Sequence, residues 1–211
     1  MQSHHHHGLK LVILGRDGIL NVFRNDHVKA PHEWIPIEGA LEALARLNQA
    51  GWHAVLATNQ SGIGRGLVDM TSLNEVHQHM MQLLLAKGGR IDAVFICPHV
   101  PEEKCTCRKP LPGLMHQIAE RYGLDKLSGV PMLCDTARDL QAAHAAGCEP
   151  HLVRTGRAAG LGEAELAQWT AGIDGVRVHA SLADFAYFVL HREHQAQGVV
   201  GEDSAPAPMN S

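Results

Sequence analysis

The chain has 211 residues, with 18 Lys and Arg against 22 Asp and Glu, enough to bury one α/β domain and too short for two ordinary ones. Its net charge of −4 provides no basic field for nucleic acid, and no apolar run reaches the ~18 residues that span a bilayer. The N-terminus lacks the apolar core of a signal peptide, so no membrane association and a cytoplasmic location are expected.

Residues 1–8, which include four consecutive histidines, are set apart from the fold; a purification tag and a natural histidine run both fit them. A first strand is expected over 10–14, ending in the turn Gly15-Arg16-Asp17-Gly18. Leu41, Leu44, Ala45 and Leu47 recur at helical spacing within 38–50, and Gly51 stops them. A second strand, 53–57, delivers Thr58-Asn59-Gln60-Ser61-Gly62 as its exit loop, and a long helix follows over 71–86.

The third strand, 92–96, leads into a segment rich in Cys and His and then into Arg108-Lys109-Pro110. A helix is expected over 112–121, with proline in its first turn. The fourth strand, 130–134, has Asp135 at its exit; a helix over 137–146 and a fifth strand over 150–153 follow. Residues 160–172 read as a loop or irregular insertion, 176–179 as a last strand and 181–191 as a helix. The tail 195–211, rich in Ala, Pro, Gly and Ser, reads as disordered. Strands alternating with helices give a single α/β domain over 9–194, a parallel sheet covered on both faces, with no large cap domain. The expected oligomeric state is a monomer.

In such a sheet all strand exits face one edge, where ligands bind. The exits carry Asp17, then Thr58 and Asn59, then Arg108 and Lys109, then Asp135 and Asp139. Taken singly, Thr and Asn after a strand are ordinary turn residues, and an Asp before a helix is more often an N-cap than a ligand. Together, carboxylates, a hydroxyl and two cations suit magnesium-assisted phosphoryl transfer. Cys97-x-His99 and Cys105-x-Cys107 supply three thiolates and an imidazole, a closed tetrahedral set suited to structural zinc. Such a staple would order a loop that has no secondary structure of its own.

The series Leu14-x-Arg16-Asp17-Gly18, Thr58-Asn59-Gln60-Ser61-Gly62-Ile63-x-Arg65-Gly66, Cys97-Pro98-His99, Cys105-x-Cys107-Arg108-Lys109-Pro110 and Asp135-x-x-x-Asp139 resembles the haloacid-dehalogenase superfamily. Within it, the chain is similar to the branch of heptose bisphosphate and histidinol-phosphate phosphatases. The resemblance implies a Rossmann-like phosphatase domain, a phosphorylated sugar as ligand, magnesium for catalysis and zinc in the substrate loop. It implies Asp17 as general acid and base with its carbonyl on magnesium, and Asp135 as a magnesium ligand. Thr58 and Asn59 would bind phosphate and Lys109 would neutralise it. Arg108 would meet the distal phosphate or the sugar, and Gln60, Ser61 and Arg65 would line the substrate loop. Zinc would be held by Cys97, His99, Cys105 and Cys107.

Two positions depart from that pattern. The nucleophilic aspartate is replaced by Gly15, which can neither form an aspartyl-phosphate nor coordinate magnesium. Losing a covalent nucleophile can cost ~10⁶-fold in turnover, and magnesium should bind more weakly. Cys134 stands where the family usually has glycine. Two functional classes stay open on the sequence: a magnesium-dependent sugar-bisphosphate phosphatase, and a pseudo-phosphatase that keeps the ligand without turning it over.

Overall fold

The computed structural model describes residues 8–201, with side chains through residue 196; the histidine run and the last ten residues lie outside the described residues. Strands β1 (Leu11–Leu14), β2 (His53–Asn59), β3 (Ala93–Cys97), β4 (Pro131–Cys134), β5 (Glu149–Val153) and β6 (Arg177–His179) form one parallel sheet. Their order is β3-β2-β1-β4-β5-β6. Progress along the sheet reverses between β1 and β4, so their exits diverge and leave a crevice at the carboxyl edge.

The two-residue period of β1 divides its side chains between two cores. Val12 and Leu14 join Ala54, Leu56 and the apolar faces of α1 (Ala40–Gln49), α2 (Met70–Ala86) and α6 (Leu182–Gly201). Leu11 and Ile13 join Val55 and Ala57 on the opposite face, against α3 (Gly113–Arg121) and α4 (Ala137–Ala146). All four β1 residues are buried, as a strand covered on both sides requires. The helix α4 starts on Thr136, whose hydroxyl accepts from Asp139 N–H, and ends at Gly147 in the left-handed region at φ 77°. Cys134 is wholly buried in the second core, its Sγ 3.5 Å from the Met132 carbonyl, so its thiol packs without entering the crevice.

Two expectations are corrected. Residues 160–172 are not irregular: they contain α5 (Glu163–Thr170), with Glu165 accepting from Gly162 N–H at 3.0 Å. The helix is short, flanked by glycines and without a fully buried residue, packing through the partly buried Leu166 and Trp169, so periodicity gave no signal. The last helix runs to Gly201, past the expected start of a disordered tail at 195. Residues 192–197 contain neither Gly nor Pro, and a 2.9 Å ion pair from Glu193 to Lys10 ties this turn to the start of β1.

A buried polar chain lies at the β5–β6 edge under α6. Glu149 accepts from His151 Nε2 at 2.9 Å, which makes Nδ1 of a neutral His151 the acceptor from His179 Nε2, also at 2.9 Å. Phe185 stands edge-on to the His151 ring, 4.9 Å between centroids. Burial lowers the His151 pKa from 6.5 to about 4, despite the opposing charge of Glu149. Between those values only the unfolded chain binds this proton, so its contribution is whole above pH 6.5 and is lost as pH falls towards 4. The thermal midpoint should therefore drop across that window, and less steeply in His151→Gln; parallel declines in parent and variant would contradict the assignment.

Candidate active site

The strand exits converge on a cleft of about 180 Å³. One wall comes from Gly15, Arg16 and Asp17 after β1 and from Thr58, Asn59, Gln60 and Ser61 at the end of β2. Arg108 and Lys109 enter from the segment after β3, while Asp135, Thr136, Arg138 and Asp139 follow β4. Phe23, Arg24, Asn25, His27 and Val28 close another side. With Arg157 from beyond β5, six cationic side chains line the cleft against three carboxylates, a balance that favours an oxyanion.

The turn after β1 fixes Asp17. Arg16 O accepts from Leu20 N–H at 2.9 Å, and Gly18 takes φ 82°, a conformation that suits glycine. The Asp17 carboxylate accepts from Asn21 Nδ2 at 2.9 Å, Arg16 Nη2 at 3.0 Å and Gln60 Nε2 at 2.9 Å. Burial acts to raise its pKa, but the Arg16 charge and these three hydrogen bonds override it and hold the carboxyl below its ordinary range. Arg16 is itself buried, and its Nη1 meets His77 Nε2 at 3.2 Å. Burial and the Arg16 charge lower the His77 pKa to about 4, so a neutral ring accepts from the guanidinium.

Gln60 also donates to Thr58 Oγ1 at 2.9 Å, which leaves the threonine hydroxyl hydrogen for a ligand. The Asn59 amide clamps the Lys109 backbone: Oδ1 accepts from its N–H at 3.1 Å, and Nδ2 donates to its carbonyl at 3.2 Å. Asn59, expected on phosphate, thus anchors the segment that carries the lysine. Lys109 Nζ lies 2.7 Å from Asp139 Oδ1 and donates to the Ala57 carbonyl at 2.9 Å. Burial opposes the Asp139 charge, but Lys109 prevails and its carboxyl stands at about 2. Arg65 stands apart from these groups. It lies exposed, outside the cleft lining, on a turn closed by its N–H to the Ser61 carbonyl.

Cys97, His99, Cys105 and Cys107 place one ligand atom each within 4.8 Å of all the others. Cys97 Sγ lies 3.6 Å from Cys105 Sγ and 3.5 Å from His99 Nδ1, which in turn lies 3.3 Å from Cys107 Sγ. A tetrahedral zinc with usual bond lengths sets such edges at about 3.6–3.8 Å, so this donor set fits the ion. Arg108 Nη1 donates to the His99 carbonyl at 3.3 Å, tying the cleft cation to the metal loop.

Among known proteins, a HAD-hydrolase-like family model matches residues 106–184. A D-glycero-beta-D-manno-heptose-1,7-bisphosphate 7-phosphatase of Bordetella bronchiseptica is 51% identical over 86% of this chain and 98% of its own. A Pseudomonas aeruginosa protein of the same description is 48% identical over 70% of this chain and 82% of its own. The chain belongs to the heptose bisphosphate phosphatases of the haloacid-dehalogenase superfamily. The crystal structure of D,D-heptose 1,7-bisphosphate phosphatase from B. bronchiseptica, complexed with magnesium and phosphate, superposes with a TM-score of 0.81. It is 50% identical and covers 87% of this chain and 99% of that one.

The magnesium donors that the resemblance implies are incomplete here, because Gly15 offers no carboxylate. The other two that it implies, Asp135 and the Asp17 carbonyl, are both met by Arg157 from the exit of β5. Its Nη2 lies 2.8 Å from Asp135 Oδ1 and its Nε 3.0 Å from Oδ2, while Nη2 also reaches the Asp17 carbonyl at 3.4 Å. A magnesium site of the family's kind therefore does not fit these residues as they stand. Burial raises the Asp135 carboxyl to about 6 against the opposing pull of Arg157.

Glycines bring the β5 exit this close. Thr155 Oγ1 donates to the Gly18 carbonyl at 2.6 Å, and a Cβ at Gly156 would come within 2.6 Å of Asp135 Oδ2. Arg157 escaped the sequence reading, which took four strand exits; the polar run Arg154-Thr155-Gly156-Arg157 after the fifth strand was the available signal.

Proposed function

We propose that the chain binds a phosphorylated sugar of the heptose 1,7-bisphosphate class and holds it without forming an aspartyl-phosphate. The observation that carries this reading is Gly15 at the head of a cleft where six cationic side chains outnumber three carboxylates. Lys109 sits within reach of the lost nucleophile's place: a Cβ built on Gly15 lies 4.0 Å from its Nζ. The Thr58 hydroxyl has a hydrogen to donate, and Arg108, held by the zinc loop, is assigned to the distal phosphate or the sugar. Zinc is structural, ligand binding does not depend on magnesium, and the cytoplasm keeps the four-ligand set reduced.

One observation favours a second reading. Asp17 lines the cleft as an ionised carboxylate that could accept a proton from water, and its lowered pKa makes it a weak base, so slow direct hydrolysis is the alternative.

Calorimetry with heptose 1,7-bisphosphate tests the first reading. Lys109→Ala should weaken binding roughly 10–100-fold, the range for losing a charge-assisted hydrogen bond. The same change strands Asp139 in the interior and should destabilise the fold by about 3–5 kcal/mol, read from denaturant melts. No detectable binding by the folded parent would reject the reading.

A further inference from the structure

We propose that the Arg157 guanidinium is the resident cation of this cleft, so that recognition of a phosphoryl dianion is independent of magnesium. The inference rests on the sugar-phosphate reading and deepens it. Arg157 engages both donors that the family pattern assigns to the metal and that this chain retains. It grips the Asp135 carboxylate through two nitrogens, 2.8 and 3.0 Å away, and reaches the Asp17 carbonyl at 3.4 Å. Its own backbone N–H also donates to Asp135 Oδ2 at 3.2 Å.

In this two-point guanidinium–carboxylate pair the Asp135 side chain is 1% exposed, while the Arg157 side chain is 33% exposed and so stays open to a ligand. The cation is also fixed from behind: its Cζ lies 4.6 Å from the centroid of the Phe23 ring. The geometry still leaves capacity for a ligand. Nε and Nη2 serve the protein, Nη1 has no hydrogen-bond partner among the described residues, and the side chain lines the same cleft as Gly15, Thr58 and Lys109.

Charge points the same way. A divalent ion in a phosphatase site offsets carboxylates that would otherwise repel the phosphate. Here one such carboxylate is missing at Gly15, Asp139 is neutralised by Lys109, and Asp135 is neutralised by Arg157. The glycine and the arginine thus act together: the first removes a negative charge, the second supplies the positive one. An organic cation lacks magnesium's open coordination positions, so it can bind an oxyanion yet cannot share ligands with a nucleophile. That agrees with a site built to hold phosphate.

Titration calorimetry with inorganic phosphate tests the proposal, on zinc-loaded chain in magnesium-free buffer without chelator and then in excess magnesium. The parent should bind equally in both, within twofold. Arg157→Ala should lose at least about tenfold without magnesium and recover part of it with the metal, since Asp135 becomes available to it. Arg157→Lys, which keeps the charge without the fork, should fall between the two. Binding by the parent that needs magnesium, or magnesium-free binding unchanged in folded Arg157→Ala, would overturn the role of Arg157 and leave the sugar-phosphate reading standing. Absence of phosphate binding by the parent in both buffers would overturn both. The parent comparison needs no variant to fold.

Discussion

Gly15→Asp should convert a chain with background phosphate release into a magnesium-dependent phosphatase, raising turnover on heptose 1,7-bisphosphate by at least ~10³-fold. The ceiling is the ~10⁶-fold that removing a covalent nucleophile can cost. The backbone accepts the change: Gly15 is not among the glycines with positive φ, so an L side chain is not strained there. A Cβ would meet Ile19 Cδ1 at 3.1 Å, a crowding that the far end of a flexible side chain relieves by a few tenths of an ångström. Lys109 Nζ, 4.0 Å from that Cβ, would face the new carboxylate, and Asp17 is already oriented two residues on. Magnesium must then compete with Arg157 for Asp135, so Gly15→Asp with Arg157→Ala should need less magnesium for half-maximal rate than Gly15→Asp alone. Release of phosphate, measured across a magnesium titration, checks both statements. No gain in the folded single variant would mean that the fault lies beyond Gly15.

Removing zinc should produce the second large effect. Residues 98–108 contain only a 3-10 turn at Pro101–Glu103, and none of that turn is buried, so the loop has little core of its own. Structural zinc sites can contribute ~10 kcal/mol or more to folding of small metal-dependent units, and here the loop leads directly into Arg108 and Lys109. Cys105→Ser, or chelation under reducing conditions, should lower the thermal midpoint and weaken phosphate binding more than tenfold. The sheet's far strands should keep their hydrogen-exchange protection. Elemental analysis should find one zinc per chain in the parent. Full phosphate affinity in the zinc-free, folded chain would show that the loop is ordered without the metal.

The fold and much of the cleft were legible because each signal was local. The buried run Leu11–Leu14 announced a central strand, and Asp17, Thr58, Lys109 and Asp135 stood at strand exits that a parallel sheet must bring together. The bunched Cys97, His99, Cys105 and Cys107 stood out by residue type, and their ligand atoms lie within 4.8 Å of one another. What escaped depended on contacts between distant segments. The Asn59 amide clamps the Lys109 backbone, fifty residues on, a contact that the sequence does not announce. Within its polar run Arg157 carried no signal of its own, and the approach of Gly156 to Gly18 brings it onto Asp135. Helix α5 lacked a buried stripe, and the extension of α6 rests partly on an ion pair to Lys10. Sequence periodicity reports burial; it says little about which buried charge meets which.

Gly15 therefore carries the central claim, that this member of the heptose bisphosphate phosphatases keeps the ligand and has lost the covalent step. The most direct test is to follow heptose 1,7-bisphosphate with the parent chain, by calorimetry for binding and by phosphorus NMR for free phosphate in the same samples. Saturable binding with no phosphate release above the buffer blank is the result expected. Enzyme-dependent release of phosphate by the parent, abolished in Asp17→Asn, would contradict the claim and point to direct attack by water.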